Sequence, residues 1–400
     1  MGTAVLDNRA VGFELTSFAN KALKAATSFW FVVVVLGQLA LGFTVASFYG
    51  LSAARGNMQA WGKFISHGYV ASDKMGNLAV AMHVFAAAII MLSGASQLVP
   101  RIRSRFPAFH RWNGRIYMAT AVALSVAGLY LTWIRGSVGG VTVHMASTVN
   151  AALIFLCGAM ALRYALARDF ATHRRWSLRF FLVVSASWFF RIMFFLWLVA
   201  FGQVGFDPIT FTGPVLTSMS YGQFLLPLAL LEVYFWAQDR PGAWRRMTAA
   251  GMLFAVSLLM IAGLFAVGAA AWAPEVKAAF DPRKSVIEPL AATIAAQGVE
   301  PAVQQYKQLR AQPAVYNTDE AELNALGYQL LRNKEYAKAI RIFQLNVETY
   351  PQSSNVYDSL GEAYADDGNK PLAIVNYQKS LDLNPKNGGA VTMLKKLRAQ

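Results

Sequence analysis

The chain has 400 residues, of which 56% are hydrophobic and only 14% charged, with a mean hydropathy of +0.38. A soluble domain carries roughly 25% charged residues, so a wholly water-soluble protein is excluded. The net charge of +15 does not indicate a nucleic-acid partner, because residues 273–400 are almost balanced, with 15 Lys/Arg against 14 Asp/Glu, and the excess lies in short loops between apolar segments. A single cysteine, Cys157, sits within an apolar segment, which excludes an intrachain disulfide, a cysteine-ligated iron–sulfur cluster and a c-type haem attachment site.

Seven apolar stretches are long enough to cross a bilayer: 28–50, 77–99, 115–135, 141–163, 178–201, 215–237 and 248–272. Residues 1–27 precede the first as a cytoplasmic segment, and Lys21 and Lys24 with the long apolar core mark that first stretch as an uncleaved signal anchor. Basic residues alternate by loop. Sixteen fall on one side, from Arg9, Lys21 and Lys24 through Arg101–Arg115 and Arg163–Arg179 to Arg240–Arg246. Four fall on the other: Arg55, Lys63, Lys74 and Arg135. The asymmetry places the amino terminus inside and, after seven crossings, the carboxyl tail outside. The localisation expected is the bacterial inner membrane, with a periplasmic tail.

Residues 28–272 thus form the bundle, 273–318 a linker and helix, and 319–400 a distinct tail. From Glu322 to Pro385 two units repeat at a spacing of 34, the tetratricopeptide period. Leu326, Gly327, Ala339, Phe343 and Pro351 match Leu360, Gly361, Ala373, Tyr377 and Pro385. Residues 387–398 read as a capping helix, with 285–311 packing in front of the repeats. The expected fold class is all-α: a polytopic membrane helix bundle of about seven transmembrane helices, followed by a small tetratricopeptide-type α-solenoid.

Four histidines mark ends of consecutive spans. His83 and His110 are 27 positions apart, His144 and His173 are 29 apart. The pairs His83–His144 and His110–His173 then fall at opposite faces, the layout for two stacked bis-histidine haem b groups. Ionisable side chains within membrane helices are costly and point to function. Against this, His110 and His173 open HRW and HRRW, where interfacial residues among arginines and tryptophans are ordinary. His67, in an outer loop, reads as solvated. Arg111 and Arg115, like Arg174 and Arg179, are either propionate partners or topology anchors. Arg191, enclosed in SWFFRIMFF, needs a partner: a propionate, backbone carbonyls or Asn150.

The histidine layout resembles the cytochrome b561 family, whose two b haems are bound by the second and fourth and by the third and fifth of six helices. That resemblance implies His83 with His144 and His110 with His173 as haem ligands, although a seventh span and the lack of an ascorbate-site motif depart from it. More literally, MHVFAAAIIMLSGASQLVPRIR, HRWNGRIY and HRRWSLRFF within residues 78–235 are similar to the uncharacterised bacterial membrane-protein family numbered 2306 among the domains of unknown function. That similarity implies no activity.

The function expected from these residues is a di-haem b-type transmembrane electron carrier or membrane oxidoreductase. It would work between a quinone or cytoplasmic-side donor and a periplasmic acceptor, with the tail binding a protein partner. The alternative is a haem-free membrane scaffold, sensor or assembly factor that acts through its tail. Transport has weaker support, since Glu232 near a helix end is the one carboxylate within the spans. Hydrolase motifs (GxSxG, HExxH, P-loop) are absent from the sequence.

Overall fold

A computed structural model describes residues 2–399 other than 57, 64, 66, 67, 71, 208 and 209. It is all-α apart from two two-residue strands, and it divides into two units, Met1–Phe280 and Asp281–Gln400.

In the first unit, α1 (Gly2–Val45) runs through a π-helical turn (Ala46–Gly50) into the short α2 (Leu51–Ala54). A 3-10 turn (Met58–Lys63) follows, then α3 (Lys74–Leu98). Asp73 caps α3 by accepting a hydrogen bond from the Gly76 amide at 2.8 Å. Proline then sets the next boundaries, because the residue before it is driven out of the helical region. Val99 is extended before α4 (Pro100–Arg105), and Phe106 is non-helical before α5 (Pro107–Trp133). Next come α6 (Gly140–Leu166), α7 (Phe170–Val184) and α8 (Ala186–Phe201). The bundle closes with α9 (Pro214–Asp239), α10 (Ala243–Val267), a second π-helical turn (Gly268–Trp272) and α11 (Ala273–Ala279).

Six helices are long and apolar enough to span a membrane, and α7 with α8 makes up to seven as a pair bent by 50°. The expected span at 178–201 is therefore broken at Ser185. No proline causes the bend. Ser185 Oγ donates to the Phe181 carbonyl at 2.7 Å while also accepting from Gln38 Nε2 at 2.8 Å, which draws the chain out of regular winding.

The bundle core gathers Val34, Phe181, Trp188, Ile192, Phe224 and Met260. α1 packs on α10 and α3, α8 on α10 and α9, α5 on α3 and α6, and α6 on α7 and α9. The α8–α10 approach requires Gly263, where a Cβ would come within 2.7 Å of the Ile192 carbonyl oxygen.

The second unit opens with β1 (Lys284–Ser285), parallel to β2 (Tyr316–Asn317), a pairing that periodicity does not announce. Between them lie α12 (Ile287–Gln297) and α13 (Val299–Arg310). After β2 come α14 (Glu320–Arg332), α15 (Tyr336–Thr349), α16 (Ser354–Asp366), α17 (Lys370–Leu383) and α18 (Gly388–Ala399). The starts of α14, α16 and α18 are 34 residues apart, as are those of α15 and α17. Each pair closes on a glycine facing an aromatic, Gly327 on Phe343 and Gly361 on Tyr377. Leu323, Leu326, Ile342, Leu360 and Tyr364 complete one continuous core.

Candidate functional site

The four histidines do not converge. α3 and α6 each pack on α5, and His83 and His144 have different surroundings. His83 lies nine residues into α3; its ring bonds to the Leu124 backbone and faces Gly128. His144 turns instead to the loop before α6: its Nε2 is 3.1 Å from both the hydroxyl and the carbonyl of Ser137, and its ring meets Trp133 edge-on at 5.4 Å. His110 and His173 share a face closely enough to influence each other electrostatically, yet each has its own neighbour. His173 Nδ1 lies 2.8 Å from the Ala161 carbonyl, and the Gln97 amide, turned nitrogen inward, donates to His110 Nδ1 at 3.1 Å. His67 lies outside the described residues.

Among the described residues, no group of three or more His, Cys, Asp or Glu side chains could hold a metal ion. This overturns the two haem b groups and the cytochrome b561 resemblance, and with them the electron-transfer reading. Equal spacing along the chain fixed depth only; the side on which each imidazole emerges is set by packing.

The residues expected around the haems have other surroundings. Arg111 is exposed, and the Arg115 guanidinium lies over the Trp112 ring at 5.0 Å. Asn150 has a buried Oδ1 without a hydrogen-bond partner. Arg179 and Arg175, in contrast, are paired with Glu232 (2.7 Å) and Asp239 from α9.

Arg191 is half-buried within α8, and its Nη1 donates to the carbonyl (2.8 Å) and hydroxyl of Ser187. Its electrostatic neighbours are Tyr49, in the π-helical turn after α1, and His83. Tyr49 is buried, packs edge-on against Trp61 at 5.8 Å, and also senses Glu275 of α11. These electrostatic neighbours come from three elements distant in sequence. Nearby, Arg135 is unexpectedly buried, with 4% of its side chain exposed; it reaches Asp73 at 3.6 Å and donates to Asn77 at 3.0 Å. The Asn77 amide in turn makes two hydrogen bonds to the backbone of Val70, tying the loop before α3 to the end of α5.

In the tail, polar positions follow the same 34-residue offset as the core: Asn324, Tyr328 and Arg332 of α14 correspond to Asp358, Glu362 and Asp366 of α16. Tyr328 donates to Glu362 Oε2 at 2.7 Å and to Ser359 Oγ at 3.2 Å, and Asn387 donates to Asp358 at 2.9 Å. Burial raises the Glu362 carboxyl above the usual range, against the opposing effect of the Tyr328 bond. Burial likewise raises Asp358 and Asp366. Sequence reading missed this face, although extending the 34-residue comparison from apolar to polar positions exposes it.

Residues 80–215 match the family described as "Predicted membrane protein (DUF2306)". The match covers about a third of the chain, from the first turns of α3 to the start of α9, and agrees with the similarity seen in the histidine-bearing segments. No curated protein matches the chain. The tail lies outside the match, so the tetratricopeptide assignment gains no support from the comparison and is withdrawn in favour of the plainer description, paired helices at a regular offset.

Proposed function

We propose that the protein is a membrane-anchored scaffold or assembly factor, in which the helical bundle holds the paired-helix tail at the membrane and the tail binds a protein partner. The observation that carries this reading is the polar face of α14 and α16. Half-buried Tyr328, Asp358 and Glu362 sit there beside exposed Asp366, with Tyr328 donating to Glu362 and Ser359 and Asn387 donating to Asp358. Partly desolvated, pre-positioned polar groups lose little further hydration and order on binding, a property of contact residues that favour association. Stacked helix pairs also present extended surfaces suited to protein ligands. The arginine asymmetry supports a tail on the side of the bilayer opposite the arginine-rich loops.

The test is site-specific photocrosslinking of the full chain in its native membrane. A photoreactive residue replaces Tyr328 or Asp366 on the proposed face, or Gln378 on exposed α17 as the control. The expected result is one discrete adduct from the first two positions and none from the third. Identical adducts from all three, or none from any, would refute the proposal.

A further inference from the structure

Arg191 lies ten residues before the end of α8, a distance of about 15 Å along the helix. His83, nine residues inside α3, is at a comparable depth of about 14 Å from the same face. A guanidinium at such depth is expensive unless a counter-charge or a full set of acceptors meets it. Yet among the described residues no ion pair forms at Arg191, whereas Arg135, Arg175 and Arg179 of the same unit each reach a carboxylate. Its hydrogen bonds go to Ser187 alone, and both come from Nη1, so the fork still has donors to offer. Ser187 is exposed, so this side of α8 is not packed against the bundle core and an anion can reach it. Tyr49 and His83, from two other elements, are its electrostatic neighbours.

We infer that Arg191, with Ser187 beside it, is an anion-binding site on the accessible side of α8, taking the carboxylate or phosphate group of a small anion or of an anionic lipid. Arginine suits this role because its planar fork binds such groups through two parallel hydrogen bonds. The site belongs to the bundle and does not depend on what the tail binds.

The experiment follows thermal unfolding of the full chain in a non-ionic detergent by the fluorescence of its 10 tryptophans. The chain is titrated separately with inorganic phosphate, acetate, phosphatidylglycerol and, as a neutral-headgroup control, phosphatidylcholine. Binding to the native state raises the midpoint by an amount that grows with the logarithm of ligand concentration above Kd. A rise with at least one anion but not with phosphatidylcholine is expected in the wild type, and an apparent affinity weaker by roughly tenfold or more in R191Q. R191K retains the charge but loses the fork, so a weaker apparent affinity is expected there too; it supplies the comparison should R191Q fail to fold. R115Q, on the opposite face, is expected to behave as wild type. Activity of phosphate or acetate identifies a small anion, and activity of phosphatidylglycerol alone identifies a lipid. Absence of any anion-specific shift in the wild type, or equal affinity in wild type and the Arg191 variants, overturns the inference.

Discussion

Gly327→Ala tests how the tail is held together. A Cβ at this position would lie 2.6 Å from two ring carbons of Phe343 and 2.9 Å from a third. Phe343 is fully buried and packs edge-on against Tyr328 with centroids 5.2 Å apart, so the ring must move by most of an ångström within a closed core. Overpacking of this kind costs about 1–3 kcal/mol, here near the upper end, while replacing a mid-helix glycine with alanine returns about 1 kcal/mol. The net loss is about 2 kcal/mol. At Gly361 the equivalent contacts with Tyr377 are 3.2–3.3 Å, and a shift of a few tenths of an ångström suffices. The two terms then roughly cancel. Hydrogen exchange of the full chain should therefore show amides of α14 and α15 exchanging about thirtyfold faster in G327A, with α16 and α17 near wild type in G361A. Phe343→Leu should be less harmful in the G327A background than alone, a coupling that identifies the clash. Equal effects of the two glycine variants, or a larger one from G361A, would refute this account of the packing.

Three further outcomes follow from the geometry. The raised Glu362 carboxyl binds its proton more tightly folded than unfolded, so the tail should lose stability as pH rises from the ordinary carboxylate range through the raised value. E362Q keeps an acceptor for Tyr328 and should flatten that dependence, read as exchange of α16 between pH 5 and 7.5; an unchanged slope would contradict it. Arg135→Ala removes the buried partner of Asp73 and Asn77 and should cost about 2 kcal/mol, seen as faster exchange at 70–77, because Asp73 is itself 37% exposed and regains water. His144→Ala should cost about 1 kcal/mol, confined to 136–144, with α3 unaffected. A matching disturbance around His83 would show that the two histidines do share a site.

Much of the architecture was legible because it follows from solvation. Runs of about 20 apolar residues must be helical in lipid, and their ends are marked by Pro100, Pro107 and Pro214, residues with fixed backbone consequences. The tail's helix pairs were legible for a similar reason: Gly327 with Phe343 and Gly361 with Tyr377 recur at one spacing. The bend at Ser185 was hidden because it depends on Gln38, 147 residues away.

The site was less legible. Sequence alone determined that His110, His144 and His173 lie near the ends of membrane helices, that His83 lies deeper, and that Arg191 is enclosed by apolar neighbours, since depth depends only on distance along a helix. Only the tertiary structure decided which way those side chains turn. His144 closes onto Ser137, His173 onto Ala161, and Arg191 onto Ser187, while Tyr49 and His83, far away in the chain, are its electrostatic neighbours. The physical reason is that a helix hydrophobic on nearly every side carries almost no record of its own rotation, and the polar groups it hides find partners only once neighbouring helices have packed.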